Sequence, residues 1–288
     1  MTGVLIIDKP RDWTSHDVVA KLRGVYHERR AGHSGTLDPM ATGVLVVFFG
    51  RATRAVERCE QDDKEYEATL RLGMITDTQD TTGQTLEERP VEVTEDALTR
   101  VLARFTGPQE QIPPMYSAVK IGGKKLYELA RKGQDVERKP RNITVHALEL
   151  LSFDGRDARL RIVCSKGTYI RTLCHDIGEA LGCGGCMAEL CRTRAGRFSL
   201  HDSVRLEDVL SAADQTKLIR PVDSLFSHLP ALTLGTKETI RCKNGGEIPN
   251  QAGDDGEYRV YGPDGEFLML GRLSGGTLKN VKSFFEVS

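Results

Sequence analysis

The segment from residue 33 to residue 50 constrains the fold of this chain more than any other. Gly35, Pro39 and Gly43 fix a rigid, non-repetitive loop, which leads into a continuous apolar run over residues 44–49. The run is too short for a typical helix and therefore predicts a buried strand. A carboxylate fixed beside such a strand suits a nucleophile or a base, and the loop carries Asp38 there. The residues alone leave a second interpretation open, in which Asp38 caps a helix.

Strands and helices are predicted to alternate along most of the chain. Residues 66–72 and 158–164 alternate apolar and polar side chains with the period of two of a half-buried strand. Three helices are predicted from an N-cap residue and a terminating glycine: Thr14 to about Gly24, Thr94 to Gly107-Pro108, and Thr168 to Gly182. This interleaving indicates an α+β fold.

The C-terminal part of the chain differs from the rest in its residue pattern. Residues 257–261 and 266–270 flank Gly262-Pro-Asp-Gly265, which is typical of a β-hairpin. We place a boundary near residues 228–230 and predict a small β domain beyond it.

Composition excludes several classes of protein. No apolar run approaches the ~18 residues of a membrane-spanning helix, and the short N-terminal run before Asp8 does not resemble a signal peptide. The odd count of 7 cysteines indicates reduced thiols. The sequence thus predicts a cytoplasmic, globular protein that has no contact with a membrane.

Charge is distributed unevenly although the formal net charge is only -1. Residues 21–54 and 113–141 have an excess of lysine and arginine, and residues 57–100 have an excess of acidic side chains. Basic patches beside an acidic face could bind a polyanion. The alternative is that each patch is an ordinary solvated surface.

Two clusters of potential metal ligands favour structural interpretations. Cys183 and Cys186 form a single CxxC, whereas a structural zinc site commonly combines two such pairs. Buried thiols on a helix and a glycine-rich turn account for these cysteines and for the neighbouring Cys174 and Cys191. Asp77 and Asp80 could pair around a metal, but their turn-like surroundings favour turn capping.

Five ordered motifs resemble those of the TruB family of tRNA pseudouridine synthases. They are Leu5-Ile-Ile-Asp-Lys9-Pro10, His33-Ser-Gly-Thr-Leu-Asp38-Pro-Met-Ala-Thr-Gly43, Lys64-Glu-Tyr66, Pro113-Pro-Met-Tyr116-Ser-Ala-Val-Lys120, and Cys164-Ser-Lys-Gly-Thr-Tyr169-Ile-Arg171. The resemblance extends over roughly two thirds of the chain. It implies isomerisation of a uridine to pseudouridine in the T loop of tRNA, without a cofactor or a metal.

The resemblance also implies roles for particular residues. Asp38 is the catalytic nucleophile or base, Arg171 pairs with it, and Tyr66 stacks on the uracil. Tyr169 and Leu190 line the pocket, although both tyrosines could instead be ordinary core residues. The remaining expected substrate-binding residues are His33, which would fill the place vacated by the flipped base, together with Lys9, Lys120, Lys124, Lys125, Arg131 and Lys132.

The architecture implied by the family has two parts. A catalytic domain over residues 1–228 is built on a mixed, mainly antiparallel sheet with flanking helices, and a thumb-like insertion at about 113–141 clamps the T arm. Residues 229–288 form a PUA-like RNA-binding domain. The expected protein is a monomer without a protein partner. A guide-RNA-dependent synthase, which would lack the long insertion, and a catalytically silent RNA-binding protein are the alternatives.

Overall fold

The computed structural model describes residues 1–117, 119–130, 132–134 and 136–285. The strands before the insertion and within it are β1 (Gly3–Lys9), β2 (Ala31–Ser34), β3 (Thr42–Phe49), β4 (Lys64–Leu72), β5 (Met74–Thr76), β6 (Thr85–Glu88), β7 (Gly107–Gln111), β8 (Lys120–Ile121) and β9 (Lys124–Lys125). Those that follow are β10 (Arg141–Phe153), β11 (Asp157–Cys164), β12 (Gly185–Ala195), β13 (Phe198–Ser199), β14 (Val204–Arg205), β15 (Ala231–Thr233), β16 (Gly256–Tyr261), β17 (Phe267–Ser274) and β18 (Thr277–Ser283).

The described residues form seven α-helices, three of which the sequence predicts from their caps. They are α1 (Ser15–Tyr26), α2 (Val56–Glu60), α3 (Glu95–Arg104), α4 (Leu126–Ala130), α5 (Ile170–Ala180), α6 (Leu206–Ser211) and α7 (Thr236–Lys243). Thr14 and Thr94 cap α1 and α3 as predicted. The prediction for Thr168 is wrong, because Tyr169 is the N-cap of α5 and the Thr168 hydroxyl donates to the Ser165 carbonyl instead.

A ten-stranded sheet forms the centre of the molecule, with the order β14-β1-β3-β12-β4-β11-β10-β7, β2 paired with β3 and β13 with β12. Only the β1–β14 and β3–β12 pairs are parallel among the described strands of this sheet. The predicted α+β fold with a mixed, mainly antiparallel sheet is confirmed.

The predicted buried strand is β3, which lies between β1 and β12. Val44, Val46 and Phe48 pack into one hydrophobic cluster, whereas Leu45 and Val47 pack into another on the opposite face. Because both faces are covered, the run needs no polar side chain. Insertion of β12 between β3 and β4 also brings the loop before β3 close to the side chains of β4 and β12.

The C-terminal sheet has the order β15-β16-β17-β18 and contains the predicted hairpin as β16 and β17. It contacts the rest of the chain through Phe226, whose ring centroid lies 6.4 Å from that of Phe267 and 6.0 Å from that of Phe284. The division of the chain at residues 228 and 229 stays a prediction.

Candidate active site

The loop that carries Asp38 is held by a side chain at the start of α1. The Leu37 amide donates to the Ser15 hydroxyl, which in turn donates to the Leu37 carbonyl. No helix begins at Asp38, so the capping interpretation is excluded. Gly43 closes the loop with φ +100, and a Cβ there would lie 2.3 Å from the Arg192 carbonyl oxygen. Glycine is therefore required where the loop enters β3.

Asp38 and Arg171 form a two-point ion pair across the sequence. Arg171 Nε lies 2.9 Å from Asp38 Oδ2, and Nη2 donates to Asp38 Oδ1 at 3.4 Å. The Asp38 side chain is 37% exposed, whereas that of Arg171 is only 6% exposed. The buried arginine therefore holds the carboxylate in place, and part of the carboxylate stays accessible to a substrate.

The rest of the guanidinium is fixed by groups that the sequence analysis did not assign to the site. Nη1 donates to the Thr78 carbonyl at 2.9 Å, and Nη2 donates to the Tyr116 carbonyl at 2.7 Å. Nη1 also lies 3.5 Å from Oδ2 of Asp80, a buried residue. A buried guanidinium with this many partners has little freedom to rotate.

Asp80 is a turn residue, as its sequence context predicts, but it is also the second carboxylate on Arg171. Its Oδ1 accepts hydrogen bonds from the Thr78 hydroxyl and from the amide and hydroxyl of Thr82. The available signal was an aspartate between two hydroxyl residues. Nothing in the sequence placed it beside Arg171.

Burial raises the pKa of Asp38 above its ordinary value, and the negative charge of Asp80 adds to this rise. The Arg171 charge and hydrogen bond act in the opposite direction, with a smaller contribution from Lys9. The two-point contact with Arg171 thus reduces the free-energy cost of keeping Asp38 ionised in a partly dehydrated cleft.

Asp38 opens into a cavity of about 650 Å³. Besides Arg171, the other predicted residues that line it are Tyr66 on β4, Tyr169 before α5 and Leu190 on β12. Tyr66 and Leu190 are each 8% exposed. A volume in this range with aromatic, aliphatic and charged walls fits a single nucleoside.

Arg192, which the sequence analysis missed, also lines this cavity. It is 1% exposed, and its guanidinium donates to the Val44 carbonyl at 2.7 Å and to the Gly35 carbonyl at 2.9 Å. Burial raises the pKa of the neighbouring Tyr66, and the Arg192 charge opposes this rise. Arg192 therefore joins the Asp38 loop to β3 and β12.

His33 and Lys9 do not line the cavity. His33 lies on β2, where burial and the charge of Arg192 lower its pKa to about 4, so the ring is neutral at pH 7. Its Nδ1 is buried and has no hydrogen-bond partner within the described ranges.

The substrate-binding role predicted for Lys9 does not fit its position. Lys9 is 0% exposed, and its ammonium donates to the carbonyls of Pro10, Trp13 and Pro39. Burial lowers its pKa to about 8. Lys9 therefore holds the Asp38 loop in place through its hydrogen bond to the carbonyl of Pro39, the residue that follows Asp38.

The insertion predicted at residues 113–141 has part of its basic surface among the described residues. Lys124 and Lys132 are exposed. Arg131 and the side chains of Lys120 and Lys125 lie outside the described residues.

The cysteines have no partner that would indicate metal or redox chemistry in the part of the chain that the structure covers. All seven are free, and no group of three or more His, Cys, Asp or Glu side chains there could hold a metal ion. Burial raises the pKa of the Cys186 thiol to about 11. A separate observation concerns the helices: among the described residues, none is long and apolar enough to cross a membrane.

Comparison with known proteins assigns most of the chain to two family models. Residues 23–170 match the N-terminal domain of the TruB family of pseudouridylate synthases, and residues 171–227 match a C-terminal domain of tRNA pseudouridylate synthase B.

Curated relatives and solved structures agree with these models. The chain is 46% identical to a tRNA pseudouridine synthase B of Aromatoleum aromaticum over 96% of this chain and 90% of that protein. It is also 46% identical to that of Ralstonia pickettii over 90% of this chain and 84% of that protein. A Cbf5-Nop10-Gar1 complex contains a chain of the same fold, with a TM-score of 0.74, 30% identity, and coverage of 99% of this chain and 85% of that one. The chain therefore belongs to the TruB family of pseudouridylate synthases.

Proposed function

We propose that this protein isomerises the uridine at position 55 of the tRNA T loop to pseudouridine. The observation that carries the proposal is the two-point pair between Asp38 and Arg171 at the floor of a cavity of nucleoside size. Membership of the TruB family and the tRNA pseudouridine synthase relatives support the same substrate.

The reaction exchanges one bond for another and needs neither redox chemistry nor nucleotide energy. The bond between N1 of uracil and C1′ of ribose breaks, the base rotates, and C5 bonds to C1′. The C5 proton leaves and N1 gains a proton, so the product is an isomer of the substrate. Asp38 starts the cleavage in its ionised form, which the Arg171 charge favours.

The uridine must leave its stack in the T loop to reach Asp38. Unstacking costs a few kcal/mol, and His33 offsets part of this cost by taking the vacated place. Its neutral ring favours this contact, because a cation would have to shed more water. Inside the cavity Tyr66 stacks on the uracil, and Tyr169 and Leu190 confine it.

Contacts with the rest of the tRNA are made through its backbone. The insertion at 113–141 clamps phosphates of the T arm with Lys120, Lys124, Lys125, Arg131 and Lys132, which read shape rather than bases. The catalytic domain spans residues 1–228, and the PUA-like domain over residues 229–288 adds a modest contact with the acceptor end. The protein acts in the cytoplasm as a monomer without a protein partner.

A guide-RNA-dependent synthase is the second candidate, because the solved structures of similar fold include a Cbf5-Nop10-Gar1 complex. The insertion and the higher identity to tRNA pseudouridine synthase B relatives favour direct tRNA recognition.

One assay separates the candidates. The purified chain alone is incubated with an unmodified tRNA transcript that carries 5-tritiated uridine, and tritium release is measured. We expect one equivalent of tritium per tRNA, and none from a transcript with cytidine at position 55. Activity that appears only with added guide RNA would contradict the proposal.

A further inference from the structure

We propose that Gln111 is a positioning residue that sets Tyr169 and Arg171 at the catalytic cleft; this inference rests on the function proposed above. Gln111 is the last residue of β7 and is only 4% exposed. Its Nε2 donates to the Tyr169 carbonyl at 3.0 Å, and its Oε1 accepts from the Tyr169 amide at 2.8 Å. One side-chain amide therefore satisfies both polar groups of a single backbone residue.

Tyr169 is a place where this pairing can control the geometry of the cleft. It is the N-cap of α5, has extended backbone angles of φ -97 and ψ 108, and makes no capping bond with its own side chain. Its carbonyl is also the acceptor for the Leu173 amide, so Gln111 and the first turn of the helix share this carbonyl. A shift of the Tyr169 peptide would rotate the start of α5, and Arg171 lies in that first turn.

The same segment of chain also reaches Arg171 directly. Five residues after Gln111, the Tyr116 carbonyl accepts from Arg171 Nη2 at 2.7 Å. Pro113 and Pro114 lie between these two contacts and restrict the backbone. Residues 111–116 thus form a short segment that contacts both Tyr169, the residue before α5, and the guanidinium of Arg171 on α5.

A simpler explanation is that Gln111 only satisfies polar groups in a buried position. That explanation predicts an effect of substitution on stability and no special relation to Arg171. The proposal predicts that tRNA still binds, that the chemical step slows, and that the slowing depends on an intact Arg171.

The matched variants are Gln111→Met and Gln109→Met. Methionine keeps the length of the side chain and removes both hydrogen bonds. Gln109 lies on the same strand and bonds to the Phe105 carbonyl, away from the cleft. We expect Gln111→Met to lower the single-turnover rate about 10- to 100-fold, since small misplacements cost rates of this order. Its tRNA Kd should stay within threefold of the wild-type value, and Gln109→Met should match the wild type in both measurements.

A double-mutant cycle then tests whether Gln111 acts through Arg171. In an Arg171→Lys background, Gln111→Met should reduce the rate less than threefold, because the guanidinium is already lost and only the effect through Tyr169 remains. An equal loss in both backgrounds, or a wild-type rate for Gln111→Met, would overturn the proposal.

A replacement variant and the activity of the two controls keep the result interpretable. If Gln111→Met does not fold, Gln111→Glu takes its place in the cycle, because the carboxylate keeps the acceptor for the Tyr169 amide and loses the donor. We expect a rate loss that again depends on Arg171. Inactivity of both the wild type and Gln109→Met would contradict the proposed function rather than the role of Gln111.

Discussion

Two buried arginines border the catalytic cleft, and the chemistry of their partners differs. On the carboxylate wall, formed by Asp38, Asp80 and Arg171, the guanidinium contacts two acidic side chains in addition to two backbone carbonyls. On the carbonyl wall, formed by Gly35, Val44 and Arg192, the guanidinium donates to two backbone carbonyls. Both arginines are buried, so burial alone does not distinguish them.

The difference assigns separate tasks to the two walls. A guanidinium forked onto a carboxylate sets both the charge and the direction of that carboxylate. A guanidinium bonded to carbonyls satisfies backbone groups that would otherwise be buried without a partner. We therefore expect substitutions on the carboxylate wall to slow the reaction, and substitutions on the carbonyl wall to act mainly on stability.

The largest effect is expected for Asp38→Asn. The change is nearly isosteric and removes the charge that the reaction uses, so the single-turnover rate should fall by at least about 1,000-fold. Affinity for tRNA should stay within about tenfold, since binding depends on phosphate contacts elsewhere. Measurable turnover by a clean preparation of this variant would remove Asp38 from its catalytic role.

A smaller loss, about 10- to 100-fold in the single-turnover rate, is expected for Asp80→Asn. The new amide would place a donor against Arg171 Nη1 and loosen the orientation of the guanidinium, although its positive charge stays beside Asp38. Asp80 also raises the pKa of Asp38, so its removal lowers that pKa. The rate falls as pH drops through the pKa of Asp38, and this acid limb should move to lower pH in the variant. A limb that moves to higher pH would contradict the assigned electrostatics.

The carbonyl wall is probed by Arg192→Lys. A lysine keeps the charge but cannot reach both carbonyls in the geometry of the guanidinium, so one stays unpaired. We expect the free energy of unfolding to fall by about 1–3 kcal/mol and the rate to fall less than tenfold. Denaturant melts and single-turnover assays on the same preparation measure both. An unchanged stability together with a large rate loss would remove the distinction between the walls.

The smallest effect on chemistry is expected outside both walls, at the insertion. Replacing Lys124, Lys125 and Lys132 with glutamine should leave the rate at saturating enzyme unchanged and weaken tRNA binding. Each lost phosphate contact should reduce the slope of log K against log salt by about 0.7–0.9. A titration over several salt concentrations gives the slope, and an unchanged slope would mean that these lysines form only a solvated surface.

The sequence was sufficient for the elements and residues whose signals are local. The apolar run before Gly50 predicted β3, and the alternation at Tyr66 predicted β4. Asp38 and Arg171 were found through motif resemblance, and their pairing is present in the structure.

Residues whose role depends on long-range placement were missed or misassigned. An arginine in an alternating strand resembles any solvated arginine, and only the position of β12 between β3 and β4 buries Arg192. Lys9 resembles a surface lysine at the end of a strand, but its ammonium is enclosed by two nearby carbonyls and by the carbonyl of Pro39, which is distant in the sequence. The sequence around Asp80 indicated only a turn. Its contact with Arg171 could not be predicted, because the two residues are far apart in the sequence.

The central claim, that Arg171 acts as a two-point fork on Asp38, is tested most directly by Arg171→Lys beside Arg171→Ala. Single-turnover rates at saturating enzyme are compared, and thermal melts exclude unfolding. Lysine keeps the positive charge and loses the planar pair of bonds to the carboxylate. We expect Arg171→Lys to fall within about fivefold of Arg171→Ala and at least about 30-fold below the wild type. Retention of more than about a third of the wild-type rate, a loss of less than ~0.7 kcal/mol in the barrier, would contradict the claim.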